Sequence, residues 1–450
     1  MLVQGTVPSL QSNLIFEFRR MPSNELRRIR SHPTYCADVS GEYEDKTAEW
    51  FELFLDLIYV AACSNVAENL KEDVSSEGLF EFIVIFLFFT SGWHMYTFFN
   101  TRFNDSSIEH HGYLVLFILA SAAMAVSAHQ GVAFTVAAIS QRLVLFIVYG
   151  TVYLHLPETR SCIWLELVVL LSSCCCLLLS LCSERYRLVA YIAALFFEIA
   201  FYIEASVQGW MMNGNYVPMN IDHFSERESC FMMVVLGESI VSCVIGVDQI
   251  SPHLSAEFYG SMALSILLAF LLGMFYYNVL PPRELHAIRR SARAGTTYVL
   301  LHHILFVSLL SMGVGIKFVT DAVKTENDLT TTEVSLLLGS MSVSMAAMLG
   351  IRLLHFYGRQ PRLTDPDNVK RIKYIWWIVN GISPTVPLVA ILVPGIFVAP
   401  LSALSFAVFS IIIYVVFEIA IAHKLHSLGF GDMSVRSSVS NTEHSPLIIR

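Results

Sequence analysis

Ionisable side chains stand inside long apolar runs of this chain: the acids Glu52, Asp56, Glu166, Glu198, Glu204, Glu238 and Glu418, and the bases Arg142, Lys317 and Arg352. Such groups at the centre of a helix in hydrocarbon cost about 2.5–3.5 kcal/mol, so they face a bundle interior or a water-filled cavity. Seven acids cannot pair one to one with three bases. The surplus must lie near an interface, be protonated, or share a cavity with water or a cation. Glu166 and Glu204, near helix ends, fit the first case. Glu52 and Asp56 are spaced i, i+4 and share one helix face. On a helix rising 1.5 Å per residue, Asp56 is about 9 Å in from Trp50 and Glu238 about 15 Å in from Glu228. Gly237 and Ser239 leave room beside Glu238 for water or a neighbouring backbone. Two readings stand side by side. Asp56–Arg142 and Glu238–Arg352 are structural ion pairs, one in each half, or some of these acids titrate or coordinate an ion.

Fifteen histidines are present, with His94, His302, His303 and His355 in or near the apolar runs. His302 and His303 are adjacent, so on a helix they point in different directions and make a poor metal pair. Metal-ligating histidine boxes, a nucleophile elbow, a P-loop and a dinucleotide fingerprint are all absent. No metal, cofactor or catalytic residue is therefore assigned. Cys174, Cys175 and Cys176 are consecutive in an apolar run, and Cys63, Cys230 and Cys243 also fall in predicted helices; they read as small packing residues. The run Asn380-Gly381-Ile382-Ser383-Pro384, with Pro387 beyond, interrupts one span. A break at depth is re-satisfied by neighbours or lines a cavity, as in transporter sites; the other reading is a proline kink.

The elements that must position these groups follow from composition. Of 450 residues, 55% are hydrophobic and 14% charged, with a mean hydropathy of +0.59. Soluble domains carry about 25% charged residues. The deficit excludes a disordered protein, a coiled coil and a nucleic-acid binder, and no set of soluble domains hides so much apolar surface. The fold class is all-α, a polytopic membrane protein whose immediate partner is the lipid bilayer. A span needs about 20 apolar residues. Twelve runs qualify, near 50–70, 79–101, 111–127, 131–153, 162–182, 187–207, 228–247, 257–280, 297–320, 333–357, 372–393 and 396–423. Residues 1–48 carry no secretory signal core.

Counting Lys and Arg by loop puts 21 of the 28 on the face that holds both termini and four on the other. The positive-inside rule then places both termini in the cytoplasm, and Trp50, Trp376 and Trp377 lie beside cytoplasmic helix ends, where indoles prefer the headgroups. The Asn104-Asp105-Ser106 sequon falls on the same side and is expected to be unglycosylated. A faint repeat matches Asp56 with Glu238, Phe98-Phe99-Asn100 with Tyr276-Tyr277-Asn278, and Arg142-Leu143 with Arg352-Leu353. Six spans per half make the repeats parallel. The resulting organisation is a tail (1–48), a first six-helix half (49–207), a polar linker (208–227), a second half (228–424) and a disordered cytoplasmic tail (425–450). Thr330-Thr331-Thr332-Glu333 resembles a capping box opening a span rich in small residues, from Gly339 to Gly350, suited to close helix packing.

The stretch Trp50-Phe51-Glu52-Leu53-Phe54-Leu55-Asp56-Leu57-Ile58-Tyr59-Val60 resembles the opening signature of the low temperature requirement A (LtrA) family. His223-Phe224-Ser225-Glu226-Arg227 with Val235-Leu236-Gly237-Glu238-Ser239-Ile240 resembles its second hallmark, and Tyr96 to Phe103 a weaker third. Order and spacing match over about 49–360. The resemblance implies a multi-pass membrane protein and singles out His223, Glu226, Arg227 and Gly237. The family is defined by a cold-growth phenotype, so the likeness bears on architecture rather than on substrate.

The acid excess, the paired halves and the interrupted helix point to a transporter or channel for a small ion, a proton or a cation. Its pathway candidates are Glu52, Asp56, Arg142, Glu238, Arg352, His302 and His303. A membrane enzyme or lipid-handling protein is the alternative, as is a scaffold or receptor without flux. In the last tail, Glu443 stands four residues ahead of Leu447-Ile448. This resembles an acidic dileucine signal read by clathrin adaptors, so the expected location is the plasma membrane or an endolysosomal membrane. The sequence leaves the oligomeric state open.

Overall fold

The computed structural model describes residues 33–35, 48–105, 107–129, 131–211, 217, 219–245, 255–279, 286–355, 361–393, 395 and 397–430. The tail signal at Glu443, Leu447 and Ile448 lies outside them, as do the side chains of Glu204, Cys243 and Asn278. The helices are α1 (Trp50–Glu72), α2 (Ser76–Arg102), α3 (Ile108–Val126), α4 (Val132–His155), α5 (Arg160–Cys182), α6 (Arg187–Met211) and α7 (Ile221–Ile245). They continue with α8 (Ala256–Val279), α9 (Ala292–Thr325), α10 (Thr331–His355), α11 (Asp367–Ile382), α12 (Thr385–Ile391) and α13 (Pro400–Ser427), with a single turn, Ala287–Arg290, before α9. Ten helical segments among the described residues are long and apolar enough to cross a membrane, α11 and α12 counting as one. α6 and α7, each 25 residues, stand where the sixth and seventh spans are expected.

Local chemistry fixes the helix starts. Glu49 and Glu52 form a reciprocal capping box on α1, and Ser75, Ser107 and Ser291 accept backbone N–H groups at the starts of α2, α3 and α9. These side chains satisfy amides that have no partner within the helix. At α10, Thr330 N donates to Glu333 Oε2 (2.7 Å) while Glu333 N donates to Thr330 Oγ1 (3.3 Å), the box the sequence suggests. α7 begins at Ile221, inside the expected linker, so His223, Glu226 and Arg227 are helical. Residues Thr34–Tyr35 (β1) pair antiparallel with Phe103–Asn104 (β2), tying part of the expected N-terminal tail to the end of α2.

α2 and α9 form the centre of the bundle, with 89% and 78% of their most apolar stretches buried inside the protein. The outer helices turn Leu116, Leu119, Phe196, Phe270 and Phe409 outward, where hydrocarbon rather than water suits them. Most helices pack on their neighbours in the chain. α1 packs on α2 and α3, α3 on α4, α4 on α5, and α5 on α6. Correspondingly, α7 packs on α8 and α9, α9 on α10, α10 on α12, and α11 and α12 on α13. The first six helices meet the later ones where α1 lies against α7 and where α9 reaches α1, α2 and α6. α9 and α10 approach closely: a Cβ on Gly315 would stand 2.8 Å from Leu337 Cα.

The interruption at Ser383-Pro384 is a kink. Both residues keep right-handed helical backbone angles, Ser383 N still donates to Val379 O (2.8 Å), and Ser342 of α10 donates to Pro384 O. The carbonyls that lose their helical donors to the prolines are met within the segment, Asn380 O by Ser383 Oγ (3.3 Å) and Ser383 O by Val386 N (3.4 Å), as the absence of water in a bilayer core requires.

Candidate functional site

The capping box of α1 holds Glu52 in the first turn, with Glu49 N donating to Glu52 Oε2 (3.0 Å). Glu52 Oε1 accepts from Asn100 Nδ2 of α2 (3.1 Å) and meets His223 Nε2 of α7 at 3.2 Å. One turn further on, Asp56 receives Arg227 in a fork: Nη2 to Oδ1 at 2.7 Å and Nη1 to Oδ2 at 2.8 Å. Trp93 Nε1 adds a third hydrogen bond to Oδ1 (2.9 Å), and the guanidinium lies over the Trp93 ring. His223 is positioned by Asn220, whose Oδ1 accepts its backbone N–H, while Asn220 N donates to Thr101 O at the end of α2. Glu52, Asp56, His223 and Arg227 are all buried. Two carboxylates thus face one guanidinium and one imidazole. The half-exposed Glu226 stands 4.0 Å from His223 Nδ1 on the outer side of the set.

Glu228, the next residue, points to another face of α7. Its Oε1 lies 2.8 Å from His94 Nε2 of α2, and both residues are wholly buried. The His94 ring stacks on His303 of α9 with centroids 4.2 Å apart. His302 takes the other side of α9, accepting from the Tyr276 hydroxyl of α8 (3.0 Å) and lying against Tyr298. Beyond Tyr298 stand His286 and His355, rings 4.7 Å apart, at the end of the bundle where the single turn precedes α9.

Further arginine–glutamate pairs join helices on either side of this contact, Arg102 of α2 to the buried Glu166 of α5 among them. Arg142 of α4 forks onto Glu198 of α6 at 2.9 Å for both bonds, and Ser91 and Ser173 donate to the same carboxylate. Arg352 of α10 pairs with Glu418 of α13, which also accepts from Trp376 Nε1 (2.8 Å). These contacts correct the pairing drawn from sequence. Asp56 meets Arg227 and not Arg142, and Arg352 meets Glu418 and not Glu238. Matching charges by depth fails because α1 packs against α7, so the cation of the second half reaches the acid of the first. Glu238 is buried on α7 within electrostatic reach of Cys63, and Gly237 has open space where a Cβ would go.

The structure therefore brings together Glu52, Asp56, His223 and Arg227, with Glu226 at the rim accepting from Ala48 N (3.1 Å). It separates Arg142, Arg352 and Glu238 from them, and it turns His302 and His303 to different neighbours. Among the described residues no group of His, Cys, Asp and Glu is arranged to hold a metal ion. Sequence reasoning missed Trp93, Asn100, His94 and Glu228 as site residues. The available signal was the adjacent pair Arg227-Glu228: two opposite charges side by side on a helix must serve two faces.

A family model described as bacterial low temperature requirement A protein (LtrA) matches residues 47–422. No curated protein and no solved structure matches the chain.

Proposed function

The chain belongs to the low temperature requirement A (LtrA) family, and from that premise we propose that this multi-pass membrane protein carries a small ion, a proton or a cation, along the buried charges between its halves. One observation carries the reading: the charged residues of α1 and α7 meet, buried, at the contact between the halves. Ionisable groups at membrane depth mark ion pathways. A site at a repeat interface is where alternating access acts.

The proposed frame is twelve spans in two parallel six-helix halves, with both termini cytoplasmic. The common order of helix neighbours supports the repeat, and so does the equivalence of Arg142–Glu198, joining the fourth and sixth helices, with Arg352–Glu418, joining the tenth and last spans. Those two pairs tie helices within each half and belong to its scaffold. The tail motif at Glu443, Leu447 and Ile448 suggests adaptor-mediated delivery to endolysosomal membranes, where a proton gradient is available. The test is flux. Purified full-length protein in liposomes, given an imposed pH or potassium gradient, should dissipate it faster than protein-free vesicles, and Asp56→Asn should remove the difference. Rates equal to those of empty vesicles under every gradient would overturn the reading.

A further inference from the structure

We infer that the transported ion is a proton and that it is held between His94 Nε2 and Glu228 Oε1; this deepens the transport reading and rests on it for the proton's use. The argument is one of hydrogen-bond parity. His94 Nδ1 lies 2.8 Å from Thr90 O, a carbonyl that can only accept, so Nδ1 carries a hydrogen. Nε2 then lies 2.8 Å from a carboxyl oxygen. A neutral imidazole and an ionised carboxylate would set two lone pairs against each other at that distance. One proton must stand between them, as imidazolium with carboxylate or as imidazole with carboxylic acid. Passing from one form to the other breaks one N–H bond and makes one O–H bond, leaving the pair's charge at zero.

The surroundings set what the pair can exchange with. Arg227, the neighbouring cation on α7, is committed to Asp56 and Glu52 of α1. α6 contributes Tyr202, packed on both His94 and His303, and Glu198, already held by Arg142. α8 and α9 contribute Tyr276, Tyr298 and His302, with His302 neutral as an acceptor of the Tyr276 hydroxyl. His303 is different. Its Nδ1 donates to Val299 O (3.0 Å), and its buried Nε2 has no hydrogen-bond partner among the described residues, as is true of Glu228 Oε2. Buried polar atoms left in this way call for an explanation, and here both flank one shared proton. The stacked rings of His94 and His303 disfavour two imidazolium charges at once, so His303 is neutral while the shared proton resides on His94. Loss of the pair's proton leaves two facing lone pairs, which the α2–α7 contact accommodates only by opening. Proton release is thereby tied to movement of α2 against α7.

Infrared difference spectroscopy of the full-length protein in lipid nanodiscs, stepped through pH, reads the proton directly. A protonated-carboxyl band that responds to pH and to deuterium should vanish in Glu228→Gln and shift in Glu228→Asp, a variant that keeps a titratable group should the amide fail to fold. Identical bands in wild type and in both variants would overturn the site. Flux from the same preparations separates the two ideas. The expected bands with no flux in the wild type would uphold the proton site and sink the transport reading. Wild-type flux that persists in Glu228→Gln, with an unchanged band, would sink the proton site and leave transport standing.

Discussion

Asp56 takes three hydrogen bonds from Arg227 and Trp93 in a buried setting, so its removal strands a guanidinium. Breaking one member of such a pair costs about 3–5 kcal/mol. Asp56→Asn and Arg227→Gln should each lower thermal stability sharply, while the double variant, neutral on both sides, should lose less than the sum by about 0.5–3 kcal/mol. Losses that simply add would show the fork to be energetically idle. His286 offers a separate test, since it lies outside the spans at the N-cap of the single turn, facing His355 and Tyr298. Burial lowers its pKa from 6.5 to about 4. Below pH 6.5 the unfolded chain binds a proton there that the folded chain refuses, so stability falls as pH drops towards 4 and levels off below it. The full span is worth roughly 3 kcal/mol. His286→Gln should flatten the melting temperature between pH 7 and pH 4; an unaltered slope would assign it to other groups. At this scale the sequence identified the costly residues but not their partners. Glu52, Asp56, His223 and Arg227 were marked by type and motif, whereas Arg227 was also counted as a loop charge. Its burial depends on an acid 171 residues away, and no local pattern carries that information.

The helices themselves were easier to read, because twenty-residue apolar runs are a local property. The ten membrane-length segments fall on expected spans, and the capping boxes mark their starts. The sequence starts α7 too late because Asp222, Glu226 and Arg227 look like a linker until the partner of Arg227 on α1 is known. The prolines mark the α11–α12 interruption, but whether it opens or bends depends on which donors reach the two carbonyls they free, Asn380 O and Ser383 O. Two glycines give a contrast in packing. Gly315 has Leu337 backbone where its Cβ would be, so Gly315→Ala should force α9 from α10 and cost about 1–3 kcal/mol. Gly237, a motif residue, has open space, and Gly237→Ala should leave stability level or raise it by up to about 1 kcal/mol through helix propensity. Thermal melts of the two variants settle the order, and equal losses would contradict the packing described for α9 and α10.

Over the whole molecule, the asymmetry of Lys and Arg between loops predicts an orientation that labelling can test. Single cysteines at Arg293 and Arg362, in a cysteine-depleted background, should react with an impermeant reagent only after the membrane is opened from the cytoplasmic side. Labelling on intact cells would invert the topology. The first six helices and those that follow are not independent, because the fork between α1 and α7 joins them. Synthesis turns that fork into a matter of timing. α1 leaves the ribosome well before Arg227 exists, and at about 5–20 residues per second the intervening 171 residues take roughly 10–30 s. Throughout that wait Asp56 sits on an inserted helix with its cation still unmade. The nascent first half is therefore a client for membrane chaperones and quality control. A fragment ending at residue 211 should be degraded when expressed alone and rescued by co-expression of residues 212–450, so that a stalled or truncated message leaves no stable half-protein in the membrane.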